Sequence, residues 1–417
     1  MEQRSDREYR RDFYRAVDIQ HGTDERAQAY YVPIYEREGM RDYDHVPRMR
    51  DEIDFSVAQS VQLFSGFRGC GKTSELVRLS HELRAEGYRV AFMDVEDYFN
   101  TLLPMETAIL PHALAAGFAH AIDHDLNGPP MRRYWEFLRR IRFTGKGTLD
   151  VDGGMVKAGV EIAPYLKDDP TFAAEAKHVF NHNRRTFRAE FHAFFADILA
   201  TLDAAEPVVF IVDSIDHFRG IGETFEQVRA SVEATFIELA DDLQIPNLHI
   251  IYTIPIYLEV GSGSLRHVVN VKLHDRAGAV YEPGYAALHD VIARRAPGAD
   301  PSRLMSEECW RELITLSGGT FRDLLRLTRL ILVDAKSLPV DASAVQRAAA
   351  NLRDNYTTVL TREHLDILRQ VRDTHMLFTD QARKGDEMQL ITMGAILRYP
   401  NAQTTWFDVH PLLKPLL

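Results

Sequence analysis

Cysteine is nearly missing from this chain: two residues, Cys70 and Cys309, among 417. They cannot build a disulfide framework, and no Cys-x-x-Cys metal spacing occurs, so a reducing compartment is expected. Long apolar runs are missing too. Nowhere do roughly eighteen apolar residues follow one another, which excludes the pattern of a membrane-spanning helix. Met1–Gln20 alternates charges around no apolar stretch, which is not how a secretory signal reads. The expected setting is the cytoplasm, with no membrane partner. An excess of basic residues is also lacking, since 49 Lys+Arg stand against 61 Asp+Glu for a formal charge of −12. That balance disfavours a sequence-independent nucleic-acid coat but allows a local basic patch. Repeats and low-complexity tracts are absent. With 45% hydrophobic residues, the chain can bury a large core and should form two or three domains.

What is present begins at Ser65–Leu76, SGFRGCGKTSEL. Gly66, four residues, then Gly71-Lys72-Thr73 is the G-x-x-x-x-G-K-[ST] phosphate-binding pattern, set between the apolar run Val61–Phe64 and a helical pattern. Its glycines let the chain turn so that successive backbone N–H groups face an anionic phosphate, and the helix that follows adds its positive end. Gly66, Phe67, Arg68, Gly69, Cys70, Gly71, Lys72, Thr73 and Ser74 are therefore the candidate nucleotide-binding residues. Lys72 is expected on the β/γ-phosphates of ATP and Thr73 on Mg²⁺. Cys70 reads as a small side chain at a permissive position.

Residues 1–50 are charge-dense, with one apolar island at Tyr30–Tyr35. It is either part of an arm docked on the core or part of an adenine pocket. After the loop, Leu76, Leu79 and Leu83 recur at helical spacing, and Gly87 stands where a helix would end. Tyr88–Asp94 reads as a second buried strand, and Val208–Val212, Leu248–Ile254 and Val268–Leu273 as three more. Strand, loop, helix, strand implies a parallel α/β sheet with right-handed crossovers. The reading is an α/β P-loop core with a parallel five-stranded sheet over 51–282, interrupted by an insertion at about 98–206.

Within that insertion Met131–Gly147 gathers Arg132, Arg133, Arg139, Arg140, Arg142 and Lys146 among aromatic residues. It is a solvated helix face or a surface for nucleic acid or an acidic partner. Gly153–Ile162 reads as a hairpin or mobile loop. Asp169-Pro170 opens a long helix with Phe187, Phe191, Phe194, Ile198 and Leu202 on one face. A helical lid is expected over 283–355, with Gly318-Gly319-Thr320-Phe321-Arg322-Asp323 starting one of its helices. Residues 356–417 read as a helix over Arg362–Arg372 and then strands Leu390–Tyr399 and Thr404–Val409, which suggests a winged-helix-like domain.

Hydrolysis of a nucleoside triphosphate needs a second carboxylate near the metal and an oriented water. Val208–Asp213 supplies an apolar strand ending in an acid, so Asp213 is the candidate Mg²⁺ residue beside Thr73. Where hydrolases of this class place a Glu directly after that Asp, this chain has Ser214. Asp216 is therefore the candidate water-polarising group, with Asp94 as the alternative. Thr253 closes the following strand as a phosphate sensor or merely a backbone partner. Arg322 could swing onto the γ-phosphate when the lid closes, and Arg219, Arg229 or Arg266 could act on a neighbouring subunit.

Taken together, GFRGCGKTSEL, VVFIVDSIDHF, IIYTIP and SGGTFRDLLRL resemble bacterial AAA+/STAND-type P-loop ATPases, relatives of origin-initiator and NACHT-like ATPases. The pattern spans roughly residues 50–340, and Ile396–Tyr399 with Trp406–Pro411 resembles the winged-helix tail of such proteins. The resemblance implies Lys72 and Thr73 on phosphate and Mg²⁺, Asp213 on Mg²⁺, Asp216 near the water, Thr253 as first sensor and Arg322 as second. It also implies a switch that oligomerises or holds a protein effector, as in bacterial conflict and antiviral defence systems. The missing Glu implies slow turnover. The rival expectations are a nucleic-acid-engaging ATPase using 131–147 and the wing, and a small-molecule kinase on the same core.

Overall fold

A computed structural model describes residues 5–18, 28–123, 167, 170–203, 205–220, 224–258, 264–377, 382–401 and 404–417. The basic stretch Met131–Gly147 and the glycine-rich Gly153–Ile162 lie outside the described residues, as does Asp169. The chain divides into two compact units, one made of Pro47–Ser65 and Leu79–Arg266, the other of Met1–Val46, Gly66–Arg78 and His267–Leu417.

The first unit is built on a five-stranded sheet in the order β2-β3-β4-β1-β5, with β1 at Ser60–Gly66, β2 at Arg89–Asp94, β3 at Val208–Asp213, β4 at His249–Ile254 and β5 at Ser264–Val268. The pairings β2–β3, β3–β4 and β4–β1 are parallel. Sequence and position agree. The central strands β3 and β4 are apolar almost throughout and buried at every residue, as a parallel strand covered on both faces must be. At the edges, β2 and β5 mix buried and half-buried positions. The sheet face carrying Phe210 is covered by the helix Leu110–Asp123, whose Phe118 lies 5.1 Å from Phe210 and 4.9 Å from Phe195 of the helix Arg184–Leu199.

Two expectations are corrected here. The long helix after Pro170 is two helices, Pro170–His182 and Arg184–Leu199, broken at Asn183. Phe187, Phe191, Phe194 and Ile198 are buried, but Leu202 lies beyond the helix end. The fifth strand comes earlier than the apolar run Val268–Leu273. That run is buried by other means: Asn270 N–H donates to the Arg398 carbonyl and Val271 N–H to the Gly319 carbonyl. Its apolar character reports burial under helices and a hairpin, not sheet pairing.

The second unit is mostly helical. Helix α1, Asp6–Ala16, opens with a capping box between Ser5 and Glu8 and buries Tyr9 and Phe13. Phe13 lies 6.4 Å from Trp310, and Arg10 donates to the Leu332 carbonyl, so the arm is docked. Helices Glu282–Ala293, Glu307–Leu316, Phe321–Asp334 and Ala342–Thr357 occupy the expected lid region. Beyond them come Arg362–Thr374, Lys384–Met393 and the antiparallel pair β6, Ile396–Asn401, with β7, Thr404–Val409. Leu390–Met393 is helix, not strand, because Gly394 at φ 81° ends the helix there and releases the chain into β6. Leu397, Tyr399 and Trp406 form the core of the hairpin.

Candidate functional site

The candidate phosphate loop lies in the second unit, between the end of β1 and a helix that begins at Lys72 and runs to Ala85. The Lys72 ammonium is buried and donates to the carbonyls of Gly66 and Phe67, each at 3.0 Å, so the loop wraps its own lysine. Gly69 and Gly71 have φ of 82° and 97°, where an L side chain is strained. Space forbids a side chain as well. A Cβ on Gly69 would come 2.5 Å from Arg322 Cβ, and one on Gly71 would come 2.9 Å from the Phe321 ring. Both neighbours belong to the first turn of Phe321–Asp334, whose amides at Phe321 and Arg322 donate to the Gly69 carbonyl at 2.9 and 3.4 Å. The structure thus brings Arg322 to Gly69 of the loop Gly66–Ser74. Arg68 is half-buried with its Nε lacking a hydrogen-bond partner.

The apolar island Tyr30–Tyr35 is also at the loop. Tyr35 is buried, and its hydroxyl lies 3.0 Å from the Cys70 carbonyl and 2.8 Å from that of Val269. Tyr31 donates to Glu75 at 3.1 Å. Arg78, one turn further along the helix, pairs with Asp44 at 3.2 Å, Glu36 at 3.1 Å and Glu75 at 3.5 Å. Burial pushes the Glu75 carboxyl up to about 7 against the opposing pull of Arg78 and Tyr31. Sequence reasoning missed this network. Its one readable trace was the Glu75/Arg78 pair at helical i, i+3 spacing.

The acids belong to the first unit. Asp213 is buried at the end of β3, and Asp94, its register partner, ends the adjacent β2. The Asp94 carboxylate caps the turn that follows it, accepting from Glu96 N–H at 2.9 Å, and the Asp213 carboxylate accepts from the adjacent Ser214 N–H at 2.8 Å. Ser214, standing where a Glu is usual, has φ 70°, an uncommon left-handed conformation for a residue other than glycine. The turn Ile215–His217 then carries half-buried Asp216. His217 Nδ1 lies 2.9 Å from Glu96 Oε1. Burial lowers the His217 pKa, but the Glu96 hydrogen bond and the charges of Asp216, Glu96 and Asp213 outweigh it, and the net shift is upward. Neither Glu96 nor His217 was signalled by spacing, since they are joined only by the β2–β3 pairing.

Thr253 is fully buried on β4 and donates to the Val212 carbonyl at 3.5 Å. It is the register partner of Phe64 on β1, and Tyr252 before it pairs with Val212. Asp213, Thr253 and the last residues of β1 therefore finish at the same, carboxyl end of these parallel strands. Two of the arginines considered as fingers are engaged within the chain. Arg229 pairs with Glu226 and Glu233 at 2.6 Å each, and Arg266 with Glu52 at 2.5 Å. Arg219 donates its amide to the Thr101 carbonyl. Among the described residues no group of three or more His, Cys, Asp or Glu side chains is arranged to hold a metal by itself, and no helix is long and apolar enough to cross a membrane.

No protein-family model matches the chain, and no curated protein does. Among solved structures it is similar to a Walker-type ATPase of Pyrococcus abyssi, at 14% identity and a TM-score of 0.46, covering 96% of this chain and 99% of that one. It is also similar to the Aeropyrum pernix ORC2 protein, at 11% identity and a TM-score of 0.43, over 95% and 93% of the two chains. The A. pernix ORC1 protein solved in complex with DNA is 14% identical with a TM-score of 0.40, over 97% and 98%. These likenesses are loose, and they run the length of each chain.

Proposed function

We propose that this chain is an ATP-binding, slowly hydrolysing AAA+-type switch whose helical lid reads the nucleotide and whose output is a protein partner or further copies of itself. The observation that carries the reading is the grip on the phosphate loop. The first turn of a lid helix, with Arg322 in it, hydrogen-bonds the Gly69 carbonyl and packs where glycine alone fits.

The residues fit the groups they would hold. Successive backbone amides at a helix start, with one buried ammonium, suit a polyphosphate. The Thr73 hydroxyl and Asp213 carboxylate are hard oxygen donors, as Mg²⁺ prefers. When bound, Mg²⁺ neutralises charge that develops on the phosphates. In this reading Lys72 would hold the β/γ-phosphates, and Thr73 and Asp213 would hold Mg²⁺. Asp216 orients the attacking water, Thr253 and Arg322 sense the γ-phosphate, and the C-terminal winged-helix-like segment passes the state on. With Ser214 in place of a Glu, the water has a weaker orienting group, which favours dwell time over turnover and supports a switch of the STAND kind.

The test is twofold. Purified protein should hydrolyse Mg-ATP at a rate that Lys72→Ala abolishes, and native mass should differ between ATP and ADP. Absence of any ATP-dependent hydrolysis or thermal stabilisation would overturn the reading.

A further inference from the structure

One buried polar group in the helical unit lies next to the proposed sensor and has no part in the site so far. Asp323 follows Arg322 in the first turn of Phe321–Asp334, is 3% exposed, and has its amide capped by Thr320 Oγ1 at 3.3 Å. Two side chains from distant parts of the chain converge on its Oδ2. The Tyr356 hydroxyl donates at 2.6 Å, and His410 Nε2 lies at 3.1 Å. His410 is fully buried, and the Leu412 amide donates to its Nδ1 at 3.2 Å. Nδ1 is thus the acceptor, and Nε2 carries the proton given to Asp323. Burial works to raise the Asp323 pKa, but the hydrogen bonds from His410 and Tyr356 and the charge of Arg322 prevail and hold the carboxyl below the usual range. The group is an ionised carboxylate inside the protein.

Such a group is costly to bury unless its partners are in place, so it enforces one arrangement of the three elements that meet on it. Tyr356 comes from the last lid helix, and His410 directly follows β7. The same short stretch, Gly318–Asp323, faces the phosphate loop through Phe321 and Arg322 and the hairpin through Gly318, whose carbonyl accepts from the Tyr399 hydroxyl at 2.8 Å.

We propose that Asp323, held by Tyr356 and His410, is a positioning residue that fixes Phe321 and Arg322 on the phosphate loop, so that nucleotide binding and docking of the C-terminal hairpin are energetically linked. This rests on the nucleotide reading above and adds its regulation: whatever loosens the hairpin releases nucleotide, and nucleotide tightens the hairpin by the same factor.

The experiment titrates a fluorescent ATP analogue into the full chain and its Asp323→Asn, His410→Gln, Tyr356→Phe and double Asp323→Asn/His410→Gln variants, with apo thermal midpoints measured in parallel. Asp323→Asn and His410→Gln should each weaken binding about tenfold, the worth of a charged hydrogen bond. The double variant should be no weaker than the worse single one, because both break the same knot. Val345→Ala loosens a buried contact in the helix of Tyr356 without touching the knot, and should lower the midpoint while leaving affinity unchanged. Should Asp323→Asn fail to fold, Tyr356→Phe and His410→Gln carry the test. Wild-type protein that binds the analogue while these variants bind equally well overturns this inference alone, as does Val345→Ala weakening binding as much as they do. Wild-type protein that binds no nucleotide overturns the reading beneath it as well.

Discussion

Replacing Gly69 by alanine separates what the phosphate loop needs from its backbone and what it needs from the lid. At φ 82° an L residue is strained by about 1–2 kcal/mol, and that strain falls on stability. The new Cβ would also stand 2.5 Å from Arg322 Cβ, where carbon atoms ordinarily approach to about 3.5–4.0 Å. Arg322 Cβ is fixed to a helix, so the first turn must retreat by about 1 Å. That stretches the 2.9 Å hydrogen bond from Phe321 N–H to the Gly69 carbonyl, a net loss of about 1 kcal/mol, and draws the Phe321 ring from Gly71. If the lid helps hold nucleotide, that loss lowers affinity about fivefold. Gly278 supplies the control: its φ is 88°, yet nothing lies within 4 Å of where a Cβ would stand. Gly278→Ala carries the strain without the clash. Both variants should lose a few degrees of thermal midpoint, and only Gly69→Ala should lose affinity for labelled ATP. Equal affinity losses, or none in Gly69→Ala, would refute the reasoning.

Four further outcomes are expected. Lys72→Ala should abolish the thermal gain that ATP gives, about 2.7 kcal/mol at a hundred times Kd. The gain is the measure, because losing the bonds to Gly66 and Phe67 also lowers the baseline. Asp213→Asn should keep nucleotide-dependent stabilisation yet lower Mg²⁺-dependent phosphate release roughly ten- to a hundredfold, as loss of a group acting through metal-bound water does. Asp216→Asn should reduce turnover about a hundredfold in a phosphate-release assay, and an unchanged rate would move the water-orienting role elsewhere. The Glu75 carboxyl is raised from 4.5 to about 7, so the folded chain binds this proton more tightly than the unfolded one. Its contribution is complete below pH 4.5 and lost as pH rises through 7, with an upper bound of about 3 kcal/mol. Glu75→Gln should therefore gain on wild type in thermal midpoint between pH 5.5 and pH 8, and a constant difference would show that the carboxyl titrates normally.

What the sequence disclosed depended on how each feature is encoded. The loop motif is contiguous, and β3 and β4 are largely apolar runs because both their faces are covered, so all three could be read directly. Strand β5, Ser264–Val268, carries Arg266 and His267 at an edge and left no such run. The stretch just after it did, because Gly319 and Arg398 take up its amides. Apolar character records burial without saying what does the burying. Buried polar groups pose the opposite problem. Glu96 and His217 meet only because β2 and β3 are paired, and Asp323 lies 87 residues from His410. Yet Asp323 did carry a signal. It falls on the buried stripe with Leu324, Leu327 and Ile331, at the one-turn spacing where an apolar residue is expected. A carboxylate there requires a donor from elsewhere in the fold. The helix pattern establishes that Asp323 needs partners, and only the three-dimensional arrangement reveals them to be Tyr356 and the residue that follows the C-terminal hairpin.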